Sequence, residues 1–158
     1  MSVGTLYQYF PNKQALLYAL LQRHADSVVA EVEDACNSAS GASLDVIVDK
    51  VVDALIRVKT ERVDESKLLY VVAEDLGGSE ILAKSSLRMR SAVAGTLAAA
   101  SDAHFDDHAL VAFFFLSALV GPIRNVLERE SPSQLIADLP QQLQVLGLAY
   151  LQAVRTCP

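Results

Sequence analysis

The residues with the most chemical potential lie at the start of the chain. Thr5, Tyr7 and Tyr9 carry hydroxyls, Gln8 an amide and Lys13 an ammonium, all close together. Hydroxyls and ammonium groups bond phosphates, and a glutamine amide can pair with an adenine edge. A second group is His104-Phe-Asp-Asp-His108, two imidazoles four apart with carboxylates between them. That set could bind a metal. The plainer reading is preferred, in which Asp106 or Asp107 caps a following helix and no metal is held. Cys36 and Cys157 are too few for a disulfide framework, and their spacing suits no metal site. No nucleophile elbow, phosphate-binding loop or dinucleotide fingerprint is present. Scattered Ser, His and Asp residues do not make a triad without geometry. The chain is therefore read as a non-enzyme that needs no cofactor.

These groups must be positioned by helices. Hydrophobic residues make up 52% of the 158 residues and Gly and Pro are few, which favours an all-α fold with a substantial core. Ser2 can cap a short helix over Gly4–Phe10, with Leu6 and Phe10 sharing one face. Pro11 stops that helix and Asn12 can cap the next. Asn12–Ala35 reads as one long amphipathic helix, with Leu21, Ala25, Val28 and Val32 at three- and four-residue steps. Asn37–Gly41 is a turn. Ser43–Arg62 is the next helix, and a shorter one over Asp64–Leu76 ends at Gly77-Gly78. Ser79–Ala100 follows, its second half rich in small residues that let a neighbour come close. Asp107–Glu130 is the most hydrophobic helix, and Gly121-Pro122 inside it should kink or break it. Gln134–Arg155 is the last. Pro140 fits the first turn of its main segment, which leaves Ser133–Leu139 as a separate short turn or helix.

The stretch G-T-L-Y-x-Y-F-x-N-K-x-x-L, dense over Ser2–Leu17, resembles the signature of the tetracycline-repressor (TetR) family of transcriptional regulators. The resemblance implies that this stretch spans the recognition helix of a helix-turn-helix and the start of the next helix. It implies DNA contacts from Val3, Gly4, Thr5, Tyr7, Gln8, Tyr9 and Lys13, with Thr5, Tyr7 and Lys13 near phosphates and residues near the helix start at base edges. The expected domains are a partial DNA-binding head over 1–14 and an effector-binding and dimerisation body of six helices over 15–158. The family places two further helices before this stretch, and a helix-turn-helix needs its first helix to seat the second. Met1 is therefore expected to be an artificial beginning.

The resemblance also implies a pocket in the body for a small, apolar effector. Polar residues on apolar faces are the cues, which makes His24, Lys59, Tyr70, Glu74 and Arg88 candidates, together with Met89, Phe113 and Phe114. The bland alternative is that the apolar ones are core and the charged ones solvated. A homodimer is expected through the last two helices, whose sequences carry more apolar surface than one small body is expected to hide. The residues assigned to that face are Phe115, Leu116, Leu119, Ile123, Leu127, Leu143, Leu146, Tyr150, Leu151 and Val154. A twofold dimer suits a palindromic operator.

The expected function is a ligand-responsive, DNA-binding repressor. The alternative is a dimeric helical ligand-binding or interaction module that does not touch DNA. The net charge of −6 favours a chain made mostly of the non-DNA body. No secretory signal is recognisable, and the apolar run Ala109–Val120 is too short to span a bilayer. A cytoplasmic protein without membrane contact is expected.

Overall fold

The computed structural model describes residues 12–61, 78–128 and 133–156, which form five helices. The class is all-α, as the composition implies. The short N-terminal helix and the helix expected over Asp64–Leu76 lie outside the described residues.

Helix α1 (Lys13–Ser38) begins where Asn12 adopts an extended backbone and its side-chain oxygen accepts the Ala15 N–H at 2.8 Å. Its buried stripe is Leu21, His24, Ala25, Val28, Val29, Val32 and Cys36, the three- and four-residue spacing of one helical face. Ala39 closes it by donating to the Ala35 carbonyl, and Gly41, at φ 78°, turns the chain.

Helix α2 (Leu44–Glu61) is capped from a distance. Ser43 accepts the Ile47 N–H through its carbonyl, while the Leu44 N–H donates to the Asp102 carboxylate at 2.8 Å. Ser101 N–H donates to the Ala42 carbonyl beside it, so two loops far apart in sequence close the same end of the bundle.

Helix α3 (Ser79–Ala98) starts at Gly78 without a side-chain cap. Helix α4 (His108–Glu128) starts at Asp107, whose carboxylate accepts the Leu110 N–H at 2.9 Å and whose carbonyl accepts that of Val111. The capping reading of this acidic stretch is the one realised.

Neither internal proline breaks its helix. Helix α4 runs through Pro122. Gly121 has no Cβ to meet the ring, and buried Ile123 and Val126 hold the last turns in the core. Helix α5 (Ser133–Val154) is also continuous through Pro140, so Ser133–Leu139 is not a separate piece. Buried Leu139 and Leu143 flank the proline and anchor both sides of the missing hydrogen bond.

Helix α1 packs between α2 and α3; α3 also lies on α4, and α5 lies on α2 and α4. The main core joins Val32 of α1, Ile47, Val48 and Val51 of α2, Leu97 of α3, Phe115 and Leu119 of α4, and Leu151 of α5. A separate, smaller cluster joins Leu21 and Ala25 to Ile81. Two exposed charge clusters tie α1 to its neighbours: Arg57 with Glu31, and Arg88 with Glu33 (2.8 Å) and Asp26 (3.4 Å). Exposed pairs of this kind contribute about 1 kcal/mol or less each. After α5 the chain is pinned back: Thr156 donates its N–H to the His104 carbonyl at 2.8 Å.

The residues assigned to a dimer face divide in two. Phe115, Leu116, Leu119, Ile123, Leu143 and Leu151 are buried inside the protomer and have almost no surface to offer a partner. They complete the protomer's own core, because α4 and α5 turn those stripes toward α2 and toward each other. Leu146 and Val154 are exposed, and Tyr150 is half-buried. The side chain of Leu127 lies outside the described residues. Helix α4 is longer than its apolar run suggests, and His108–Val126 is long and apolar enough to cross a membrane by length and composition. Its buried residues make it a core helix of this bundle.

Candidate ligand pocket

The middle of α1, the first half of α3 and the middle of α4 do not close fully on one another. A cavity of about 410 Å³ remains between them. Each helix contributes one stripe. From α1 come Leu21, His24, Ala25 and Val28; from α3, Leu82, Ser85, Ser86, Met89 and Arg90; from α4, Phe113, Leu116, Ser117, Val120, Gly121 and Arg124. In every case the steps are three and four residues, so one face of each helix turns toward the space.

The walls are mostly apolar, and the polar groups are few. His24 and Ser85 are buried side chains on opposing helices. Arg90 lies with its guanidinium carbon 5.5 Å from the Phe113 ring centroid, a cation–π distance, and its Nε donates to the Ser86 carbonyl at 3.3 Å. Phe113 in turn meets Phe114 edge to face at 5.3 Å. The aromatic pair thus braces the arginine from the α4 side.

Among the sequence candidates, His24, Met89 and Phe113 line this cavity. Arg88 does not; it faces outward and is neutralised by Glu33 and Asp26 on α1. Phe114 is half-exposed and also lies off the lining, because one residue along a helix turns the side chain by about 100°. Tyr70, Glu74 and the side chain of Lys59 lie outside the described residues, as do Val3, Gly4, Thr5, Tyr7, Gln8 and Tyr9. Lys13 is the exposed first residue of α1.

Sequence reasoning overlooked Arg90, Arg124 and the serines. A signal was there: Phe113, Ser117, Gly121 and Arg124 fall at steps of four, four and three on a helix that is otherwise apolar. A stripe of small and polar residues on such a helix marks where it is not packed against protein.

Among the described residues, no group of three or more His, Cys, Asp or Glu side chains could hold a metal. His104 and His108 meet edge to face at 6.2 Å, at the end of the bundle where Asp107 caps α4. Three helices thus surround a mostly apolar space with a few placed polar groups, the size and lining common to small-molecule sites.

The profile of the tetracyclin repressor-like C-terminal domain matches residues 43–151, more than two-thirds of the chain. The chain belongs to the TetR family. The matched domain is the regulator body of that family, and helices α2 to α5 fall within the match almost entirely. No curated protein and no solved structure matches the chain.

Proposed function

We propose that this TetR-family chain is a ligand-responsive transcriptional regulator of the repressor type, and that the cavity between α1, α3 and α4 receives its effector. The observation that carries the reading is the sharing of α1. Its residues Leu21–Val28 form one wall of the cavity, and the same helix begins at Lys13, next to the stretch that resembles a recognition helix. Leu21 lies about 12 Å along the helix from Lys13 at 1.5 Å per residue. An occupant that moves the α1 wall therefore moves the head. DNA affinity changes by the difference between the occupant's affinities for the two positions.

The reading includes a homodimer in the cytoplasm. Exposed apolar residues on both α4 (Leu110, Phe114) and α5 (Val145, Leu146, Val154) support a self-complementary face on these two helices. On this reading Val3, Gly4, Thr5, Tyr7, Gln8, Tyr9 and Lys13 meet operator DNA. A ligand-binding module without DNA contact remains the second reading, supported by the net charge of −6.

The test is an operator-binding titration on the protein, with and without a saturating cavity ligand, over a range of salt. A steep salt slope, together with a ligand-dependent change in operator affinity, is expected. Unchanged affinity at saturation would sink the proposal.

A further inference from the structure

We infer that the ligand of this cavity is an amphipathic carboxylate, an apolar body with one anionic head, and that Arg90 is the group that holds the head. The inference rests on reading the α1–α3–α4 cavity as the effector site.

The chain has 19 acidic and 13 basic residues. The described lining of the cavity reverses that balance, with Arg90 and Arg124 present and no carboxylate. Two arginines two residues apart also contrast. Arg88 is occupied by two carboxylates, Glu33 and Asp26, and has a purely structural place on the surface. Arg90 has no carboxylate partner among the described residues. Its Nε donates to the Ser86 carbonyl and its guanidinium carbon lies 5.5 Å from the Phe113 ring centroid, so two neighbours restrain the guanidinium without using a carboxylate. A guanidinium fork matches a planar carboxylate through two parallel N–H bonds, and a pre-oriented fork loses little freedom on binding. Ser86 and Ser117 can hydrogen-bond the same head, while Leu82, Met89, Leu116 and Val120 offer only apolar contact to the body behind it. A neutral apolar molecule would leave the half-buried Arg90 fork without a charged partner, whereas a carboxylate would supply one.

The test uses two matched series of probes that differ only in head charge: decanoate, decanol and decylamine, and cinnamate, cinnamyl alcohol and cinnamylamine. Binding to the full chain is measured by calorimetry. The carboxylate of at least one series is expected to bind tightest, and to weaken with added salt while the alcohol does not. Arg90→Gln is expected to weaken the carboxylate by about tenfold to hundredfold, the usual worth of hydrogen bonds to a charged group. It should leave the alcohol within about twofold, by the same reasoning. The inference is overturned if the alcohol or amine binds as tightly in both series, if Arg90→Gln weakens all heads alike, or if neither carboxylate binds. Ser117→Trp and, independently, Ser86→Trp fill the cavity from two helices and identify which statement has failed. Carboxylate binding that survives both places the ligand elsewhere and removes the pocket reading as well. Binding lost in both, with the alcohol preferred in the parent, removes only the anion inference.

Discussion

Gly147 sits where α5 crosses the core, and replacing it with alanine tests the packing directly. A Cβ there would lie 2.8 Å from Cε2 of Phe115, 3.2 Å from a methyl of Val48 and 3.5 Å from one of Leu119. The first distance is far inside the ordinary carbon–carbon contact of about 3.5–4.0 Å. Phe115 and Leu119 are fully buried and Val48 nearly so, which leaves the ring nowhere to swing. Two effects therefore compete. Alanine gains about 1 kcal/mol over glycine inside a helix. Overpacking a filled core costs about 1–3 kcal/mol. The expected net effect is a loss of about 1 kcal/mol, or a fall of about 2–4 °C in Tm for a chain of this size. Gly95 provides the control, being helical with nothing within 4 Å of an added Cβ. Gly95→Ala should gain about 0.5–1 kcal/mol. Urea unfolding of both variants, compared at their midpoints, gives the two signs. Phe115→Leu combined with Gly147→Ala should recover part of the loss. If Gly147→Ala proves as stabilising as Gly95→Ala, the close approach of α5 to Phe115 is wrong.

Other expectations follow from single contacts. Asp102→Ala removes the carboxylate that caps α2 and should cost about 0.5–2 kcal/mol, seen as a lower urea midpoint and faster amide exchange at Leu44. Burial and the flanking carboxylates of Asp45 and Asp53 raise the pKa of Asp49, so the folded chain holds that proton more tightly than the unfolded one. Asp49→Asn should therefore stabilise slightly at neutral pH, the effect being screened by solvent because Asp49 is exposed, with the gain vanishing as pH falls through the carboxylate range. Burial, opposed by the Thr96 hydrogen bond, raises the Cys36 thiol above its ordinary range. It should resist a thiol reagent at pH 8 until the chain unfolds, and its contribution should be lost as pH rises through its folded pKa.

The helices were legible because their signals are local. The apolar steps of α1, the Asn12 and Asp107 caps and the Gly41 turn lie within a few residues of one another. Pro140 does not set off a separate piece, and Pro122 does not break its helix, because a proline costs one local hydrogen bond, whereas Ile123, Val126, Leu139 and Leu143 are anchored by residues far away in sequence. The Asp102 cap on α2 was illegible for the same reason. Six of the ten residues expected on a dimer face are buried in the protomer, because apolar content alone does not give orientation. Phe115 and Phe114 read alike in a run of three phenylalanines, and only packing separates the buried ring from the exposed one. The pocket was half legible. His24, Met89 and Phe113 stood out by residue type, but the serines and Arg90 acquire meaning only once three helices bring them to one space.

The division of the core into two clusters bears on how long the protein survives in a cell. The small Leu21–Ala25–Ile81 cluster borders the cavity, while the large cluster occupies the rest of the bundle. Without a ligand, the cavity end has few buried contacts and should open locally before the rest unfolds. A bound molecule fills that gap and acts as a piece of core that the chain does not encode. At a concentration one hundred times its Kd it adds about 2.7 kcal/mol to the folded state. Proteases that attack transiently opened chains would then remove the empty form first. On the proposed reading, the occupant of the cavity would thereby also set how many copies of the protein persist.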